Sequence, residues 1–251
     1  MHSKGYFVQI KGKVVLITGG AVRVGRAITL ELLNAGARIF CHFHSSVEAT
    51  RSLLKEAENL GGSLHLFSYD LFRTDAVQKI TSETFATFGR IDVLINNAAI
   101  FFKTPLDKVS EDEWDRLHTL NLKKVFFLSR EVGIKMKLQG SGKIINIGDA
   151  GAETPFPSYI PYSITKAGIV ALTRGLAKAL APEVQVNCIN PGPVMLPEDY
   201  DPQEKERAIQ QTLLKREGSP ADIARTVRFL IEGSEYITGA VIPVDGGRHI
   251  H

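Results

Sequence analysis

The chain has 251 residues, of which 44% are hydrophobic and 23% charged, and its formal net charge is +3. These values are typical of a globular protein, and no basic run is dense enough to predict nucleic-acid binding. The isolated cysteines, Cys41 and Cys188, exclude a disulfide framework and a zinc knuckle. Since we find neither a signal peptide nor a stretch that could span a bilayer, we expect a cytoplasmic enzyme without membrane contact.

Short apolar runs alternate with helical patterns along the chain. We predict strands over 14–18, 38–43, 64–69, 91–95, 143–148, 184–189 and 240–244, and helices that end near Gly36 or cover 47–60, 75–88, 110–138, 161–180 and 221–231. This order predicts an α/β fold, with one doubly wound Rossmann-type parallel sheet of about seven strands and helices on both faces. We expect one domain over residues 1–251, with its ligand at the carboxyl ends of the strands.

The first strand runs into T-G-G-A-V-R-V-G, from Thr18 to Gly25, before the first helix. Glycines there let the backbone approach a pyrophosphate, and the helix N-terminus offers unpaired N–H groups. Arg23 adds a cation beside the phosphates and could also face a polar substrate. A glycine-rich turn without a ligand is the plain alternative, but the strand–turn–helix context favours a nucleotide.

The second strand ends in C-H-F-H-S-S, without the acid that an NAD enzyme usually carries there for the ribose 2′-hydroxyl. His44, Ser45 and Ser46 could instead bind a 2′-phosphate, so we predict NADPH rather than NADH. One alternative is an ordinary serine N-cap. Another is a metal site of Cys41, His42 and His44, which strand alternation disfavours because Cys41 points away from both histidines; we expect no metal.

Tyr162 and Lys166 lie four residues apart, where Pro161 indicates the first turn of a helix, so both occupy one helix face. A lysine beside a tyrosine favours the phenolate and lowers a phenol pKa that is ordinarily about 10. Such a tyrosine can exchange protons near neutral pH. The spacing also occurs by chance in amphipathic helices, so the rest of the chain must supply the context.

Together these motifs resemble the short-chain dehydrogenase/reductase family over residues 13–247, with Asn96-Asn97-Ala98 after the fourth strand and Pro191-Gly192 after the sixth. The resemblance implies that Lys166 binds the nicotinamide ribose and that Asn121 supports a proton relay through water and that lysine. The expected cofactor contacts are Gly19, Arg23, Val24, Gly25, His44, Ser45, Ser46, Asp70, Leu71, Asn97, Ala98, Tyr162, Lys166, Pro191 and Gly192.

Asp149 stands 13 residues before Tyr162, where the family usually has a serine that holds the substrate oxygen. A carboxylate would repel a developing alkoxide, so alcohol–ketone chemistry is disfavoured and protonation of a substrate nitrogen is favoured. The alternative is that Asp149 is an N-cap or loop acid and that catalysis has been lost.

One branch of the family, the pteridine reductases, resembles the chain in T-G-x-x-x-R-x-G, H-x-H-x-S, the aspartate and N-N-A-x-x-F-x-x-T-P. The resemblance implies an NADPH-dependent reductase of a pterin or dihydropterin, with hydride transfer to a ring C=N. Asp149 and Tyr162 would protonate the nitrogen, Phe101 would stack on the ring, and Arg23 would bind its polar edge. Ser45 and Ala99 depart from the protozoan members, which have an arginine and a serine there.

The polar segment 193–215 is predicted to be a substrate flap, with a solvated helix preceded by a loop as the alternative. By resemblance we expect a homotetramer, and Ala167, Gly168 and Ala171 would allow close helix packing there or inside one subunit.

Two other functions stay open. The chain could be an NADPH-dependent carbonyl reductase of a 3-oxoacyl thioester or a sugar, or a nucleotide-binding regulator that senses NADP(H) without turnover.

Overall fold

Seven parallel strands form a single sheet in a computed structural model of the chain, which describes residues 9–196 and 200–250. The strands are β1 Val14–Thr18, β2 Arg38–Phe43, β3 Ser63–Ser68, β4 Val93–Asn96, β5 Gly142–Ile147, β6 Val184–Pro191 and β7 Val241–Val244. Their spatial order is β3-β2-β1-β4-β5-β6-β7, so the chain reverses its direction across the sheet between β1 and β4. The predicted doubly wound α/β fold is confirmed.

Helices cover both faces of this sheet. They are α1 Arg23–Asn34, α2 Val47–Asn59, α3 Ala76–Phe88, α4 Glu111–His118, α5 Lys124–Gln139, α6 Ile160–Leu180, α7 Pro202–Gln210 and α8 Pro220–Glu232. On one face, buried residues of α1 and α8 such as Leu32 and Val227 pack on the sheet. On the other face, α3, α5 and α6 contribute residues such as Ile80, Leu128 and Leu176. No helix in the described ranges is long and apolar enough to cross a bilayer.

The helix predicted over 110–138 is interrupted in the structure. It divides into α4 and α5 around one π-helical turn, Thr119–Lys123. The side-chain amide of Asn121 in this turn accepts from Ile100 N and donates to Ile100 O, both at 2.9 Å. The turn therefore fastens the segment that follows β4 to the helical layer. Such interruptions are frequent at functional sites.

Part of the predicted flap is helical. Helix α7 begins at Asp201, whose Oδ1 accepts from Glu204 N at 2.7 Å, and Pro202 fills the first helical turn. A capping acid followed by proline is a strong helix start. The described part of segment 193–215 thus contains a helix, as the alternative predicted, and residues 197–199 lie outside the described ranges.

The turn between β1 and α1 is fixed where the sheet changes direction. Gly19 has a φ of +63°, in the left-handed region that favours glycine. A Cβ added at Gly25 would lie 2.1 Å from the Gly19 carbonyl oxygen, so the backbone there leaves no room for a side chain. Asn97, just beyond β4, donates its side-chain amide to Thr18 O at 3.0 Å and to Gly19 O at 2.9 Å. These contacts clamp the turn across the gap between two strands.

We expect Gly25→Ala to destabilise the protein by about 1–3 kcal/mol or more, because the added methyl overpacks against rigid backbone. The matched control is Gly175→Ala on α6, where an added Cβ meets nothing within 4 Å. That change should stabilise the protein by about 0.5–1 kcal/mol, since alanine is the better helix former. Urea unfolding of both variants measures the contrast, and equal stabilities would contradict the tight turn.

Candidate active site

A cavity of about 430 Å³ opens at the carboxyl ends of the strands around the β1–α1 turn. We call it the glycine-turn cavity. All fifteen predicted cofactor contacts line it, although they come from eight separate stretches of the chain: Gly19, Arg23, Val24, Gly25, His44, Ser45, Ser46, Asp70, Leu71, Asn97, Ala98, Tyr162, Lys166, Pro191 and Gly192. The fold therefore brings the predicted nucleotide-binding set into one place.

A second cavity of about 440 Å³ adjoins the first, and we call it the aromatic cavity. Its lining includes Phe101, Phe156, Tyr159, Tyr162 and Tyr200. The two cavities share Arg23, Asp149, Tyr162, Pro191, Gly192 and Val194. All four predicted substrate contacts, Arg23, Phe101, Asp149 and Tyr162, therefore line the aromatic cavity. A ligand in one cavity meets a ligand in the other at Asp149 and Tyr162.

Asp149 and Tyr162 are joined directly. The Tyr162 hydroxyl donates to Asp149 Oδ2 at 2.9 Å, and Gly151 N donates to Asp149 Oδ1 at 2.7 Å. One carboxyl oxygen thus caps the short 3₁₀ turn Ala150–Ala152, as the loop-acid alternative predicted, while the other faces the tyrosine. Burial raises the pKa of Asp149, and the charge of Lys166 opposes this rise only in part. The carboxyl is therefore easier to protonate than an ordinary aspartate.

The predicted lowering of the Tyr162 pKa by Lys166 is wrong for this structure. The phenol is only 5% exposed, and burial raises its pKa well above 10, with the charge and hydrogen bond of Asp149 acting in the same direction. The Lys166 ammonium lies 5.5 Å from the phenol ring centroid and donates to Ile147 O at 3.0 Å. A buried hydroxyl against a carboxyl keeps its proton, so Tyr162 is set up as a proton donor.

Lys166 is buried at the floor of the glycine-turn cavity, with 4% of its surface exposed. Burial lowers the pKa of its ammonium, and the nearby Asp149 carboxyl partly restores it. Among the described residues, Ile147 O is its one hydrogen-bond acceptor. An ammonium has three donors, so Lys166 retains donors for a ligand in this cavity.

The side chain of Asn121 does not line either cavity among the described residues. Its amide is engaged with the Ile100 backbone on both the donor and the acceptor side. The residue therefore positions the segment that leads into Phe101. The predicted proton relay through this asparagine stays a hypothesis.

Arg23 and Phe101 both make contacts that the sequence did not indicate. Arg23 has a φ of +51° and donates its guanidinium to the carbonyl of Met195 in the flap segment. Phe101 is 37% exposed and stacks on Tyr159, with ring centroids 4.3 Å apart and planes 7° from parallel. It also meets Tyr162 edge to face at 4.7 Å. Phe102 is partly buried and packs beside Leu117.

The end of β2 faces the glycine-turn cavity. Ser46 occupies the N-cap position of α2, as one alternative predicted, but its hydroxyl makes no capping hydrogen bond. His44 and Ser45 are exposed at the cavity rim. His42 is buried, its Nε2 contacts Tyr69 O at 2.8 Å, and burial lowers the pKa of its imidazole to about 4. Two hydroxyls and an exposed imidazole therefore lie at this end of the cavity, and each can donate a hydrogen bond.

Sequence reasoning missed several residues of the aromatic cavity. Arg248, after β7, lies over the Phe156 ring at 4.8 Å and donates to Gln211 Oε1 at 2.6 Å. Phe156 and Tyr159 come from the stretch between Asp149 and Tyr162, where P-F-P-S-Y is visibly aromatic. Arg248 could have been found from its place at the carboxyl end of the last strand. Arg207 on α7 had no comparable signal.

Comparison with known proteins gives concordant matches. A family model described as enoyl-(acyl carrier protein) reductase, of the short-chain alcohol dehydrogenase type, matches residues 20–249. The 3-oxoacyl-[acyl-carrier-protein] reductase FabG of Thermotoga maritima is 34% identical over 244 residues, covering 96% of this chain and 99% of that protein. Its name agrees with the carbonyl-reductase alternative better than with the pterin hypothesis.

Solved structures agree with the fold at similar identity. A short-chain dehydrogenase/reductase from Serratia marcescens superposes with a TM-score of 0.90 at 30% identity, covering 96% of this chain and 99% of that one. A blue fluorescent protein from a metagenomic library, solved in complex with NADPH, gives a TM-score of 0.88 at 30% identity with the same coverage.

The buried carboxyl predicts a pH dependence of stability. Because the pKa of Asp149 is raised in the folded state, the folded protein binds more protons than the unfolded chain above about pH 4. The contribution of the Asp149 carboxyl to the free energy of unfolding is therefore fully present at low pH, and it is lost as the pH rises towards the folded-state pKa of this group. Urea titrations of the wild type and of Asp149→Asn measure this effect. The free energy of unfolding of the wild type minus that of the variant should fall between pH 4 and 8. A rise over this range would show that Lys166 stabilises the carboxylate instead.

Proposed function

We propose that this chain, which belongs to the short-chain dehydrogenase/reductase family, is an NADPH-dependent reductase of a pterin or dihydropterin. That it is an oxidoreductase of this family follows from the matches over nearly its whole length. The choice of substrate is supported by one observation above all. Asp149 occupies the position of the family's serine and is hydrogen-bonded to Tyr162 at the junction of the two cavities.

The glycine-turn cavity suits a dinucleotide. Gly25 leaves the backbone bare where a pyrophosphate would approach, and the N-terminus of α1 supplies N–H groups beside it. Lys166 would bind the nicotinamide ribose, and His44, Ser45 and Ser46 would bind a 2′-phosphate. NADPH supplies a hydride when bound, and in our proposal the acceptor is the ring carbon of a C=N bond.

Asp149 and Tyr162 would together deliver the proton that this reduction requires. Burial raises the pKa of both side chains, so each keeps its proton more easily than an ordinary carboxyl or phenol. The protonated form of Asp149 would donate to the substrate nitrogen and become a carboxylate, which the Tyr162 hydroxyl would stabilise through its hydrogen bond, and solvent would return the proton to Asp149 after product release. In an ionised state, Asp149 would repel an alkoxide about 4 Å away by about 4 kcal/mol at an effective dielectric constant near 20. A nitrogen that accepts a proton carries no such penalty.

The aromatic cavity suits a flat ring. Five aromatic side chains, Phe101, Phe156, Tyr159, Tyr162 and Tyr200, line it. Heteroaromatic rings gain offset-stacking and edge-to-face contacts from such walls. Phe101 would stack on the pterin, and Arg23 would bind the ring's polar edge. Asn121 would keep Phe101 in position through its two hydrogen bonds to the Ile100 backbone. The proton relay is a separate role proposed for this asparagine.

The segment 193–215 would cover the bound substrate. Two contacts join it to the cavity rim, the Arg23–Met195 hydrogen bond and a Lys103–Glu204 ion pair of 2.6 Å.

The assembly is proposed to be a homotetramer. Gly168 packs against Leu122 inside the subunit, whereas Ala167 and Ala171 are exposed on α6 and available to a second copy.

A second candidate is a 3-oxoacyl-thioester reductase, which the names of the relatives favour. A protonated Asp149 could donate to a carbonyl oxygen in place of the serine hydroxyl. The ionised form of Asp149 would repel the developing alkoxide of this second candidate, however, whereas the nitrogen of a pterin carries no such charge, so Asp149 favours the pterin.

Oxidation of NADPH should be compared with dihydrobiopterin, dihydromonapterin and an acetoacetyl thioester as acceptors. We expect turnover of at least one pterin, and Asp149→Ser should lower kcat/KM for it by about 100-fold or more, the usual contribution of a positioned proton donor. NADPH affinity, from fluorescence titration, should change less than about twofold. Turnover of the thioester but of no pterin would favour the second candidate. Parallel loss of NADPH binding would mean that Asp149 is structural.

Cofactor choice gives an independent prediction for the end of β2. Ser46→Asp places a carboxylate beside the expected 2′-phosphate, and like charges 4 Å apart repel by about 1–4 kcal/mol. The Kd for NADPH should rise about tenfold or more, while the Kd for NADH stays nearly constant. Ser82→Asp, an exposed position on α3, controls for the added charge. Equal weakening of both cofactors would place the 2′-phosphate elsewhere.

A further inference from the structure

The aromatic cavity contains cations that the proposed cofactor does not explain. Arg207 and Arg248 line this cavity but do not line the glycine-turn cavity. Their charges are therefore not placed to neutralise the cofactor phosphates. They come from two different elements, helix α7 and the turn after β7, and the fold brings them to one wall.

Arg248 is held in a defined orientation. Its guanidinium lies over the Phe156 ring at 4.8 Å, and it donates to the neutral Gln211 side chain at 2.6 Å. The side chain is half-buried, and burial lowers its pKa although Asp149, Tyr200 and Asp245 oppose this. Fixing a rotamer-rich side chain in this way reduces the entropy lost when it binds a ligand.

Neither guanidinium is ion-paired with a carboxylate of residues 9–196 or 200–250. In the same cavity the Lys103 charge is balanced by Glu204 at 2.6 Å, so pairing is the local norm. Arg248 is partly buried and loses hydration that no ion-paired carboxylate replaces, whereas Arg207 is exposed. An anionic group on a ligand would supply that partner.

We propose that Arg248, assisted by Arg207, is a specificity-determining residue that binds an anionic substituent of the substrate, a phosphate ester or a carboxylate. The planar guanidinium matches both groups through two parallel N–H···O hydrogen bonds. This inference rests on the proposed function, because it specifies which pterins are preferred. Phe101 and Asp149 would hold the ring while the arginines hold its charged substituent.

Three pterins test the inference: 6-hydroxymethyl-7,8-dihydropterin, its phosphate ester and 7,8-dihydropterin-6-carboxylate. We expect at least one anionic compound to have a KM about tenfold or more below that of the neutral one, as for a hydrogen bond to a charged group. Arg248→Gln should remove this difference, and Arg248→Lys should restore part of it. Preference for the phosphate or for the carboxylate identifies the source of the charge. Arg130→Gln on α5 removes the same charge outside both cavities and should leave the preference intact.

Binding of the same compounds to the NADP⁺-loaded protein, by titration calorimetry, separates failure of this inference from failure of the proposed function. Two results would overturn the role of the arginines but leave the proposed function standing. They are equal affinity for neutral and anionic pterins, and a preference for anionic pterins that survives in the double variant Arg207→Gln/Arg248→Gln. If no pterin either binds or is reduced, the proposed function fails and this inference fails with it.

Discussion

The hydrogen bond between the Tyr162 hydroxyl and Asp149, 2.9 Å long and withdrawn from water, is the interaction on which the site depends. It exists because β5 ends two residues before the aspartate, while the first turn of α6 presents the tyrosine to it. Two acidic groups in contact, the tyrosine buried and the aspartate partly buried, cannot easily ionise together. The pair therefore retains at least one proton at the junction of the two cavities. A serine at position 149 would leave the tyrosine without this partner.

The rest of the fold serves to place that pair beside a nucleotide. The sheet reverses direction between β1 and β4, and Asn97 clamps the glycine turn across this gap. Ligands of open parallel sheets bind at such switch points because the loops on either side diverge there. Lys166, one helical turn beyond Tyr162, reaches the same cavity from α6. A cofactor and a substrate bound in these two cavities would thus meet at the carboxyl ends of the strands.

Much of this arrangement could be predicted from the sequence, because buried parallel strands appear as continuous apolar runs and glycine turns follow them. The fifteen residues predicted to contact the cofactor converge for the same reason. The π turn at Asn121 could not be predicted, since it depends on hydrogen bonds to Ile100, which is distant in sequence. The raised pKa of Tyr162 could not be predicted either. Sequence spacing places Lys166 near the tyrosine, but it shows neither the burial of the phenol nor its distance from the ammonium. Arg248 was missed because its partner Gln211 lies on another element.

The relatives and the site address different levels of function. Identity near 34% over the whole chain reflects a common scaffold, which in this fold class supports many activities. The choice of substrate depends on a few positions, above all Asp149, and our central claim is that this carboxyl carries a proton at neutral pH. Infrared difference spectroscopy of the NADP⁺-bound protein with isotope-labelled aspartate measures this directly. We predict a protonated-carboxyl band that disappears in Asp149→Asn; a spectrum with only carboxylate bands from this residue would contradict the account.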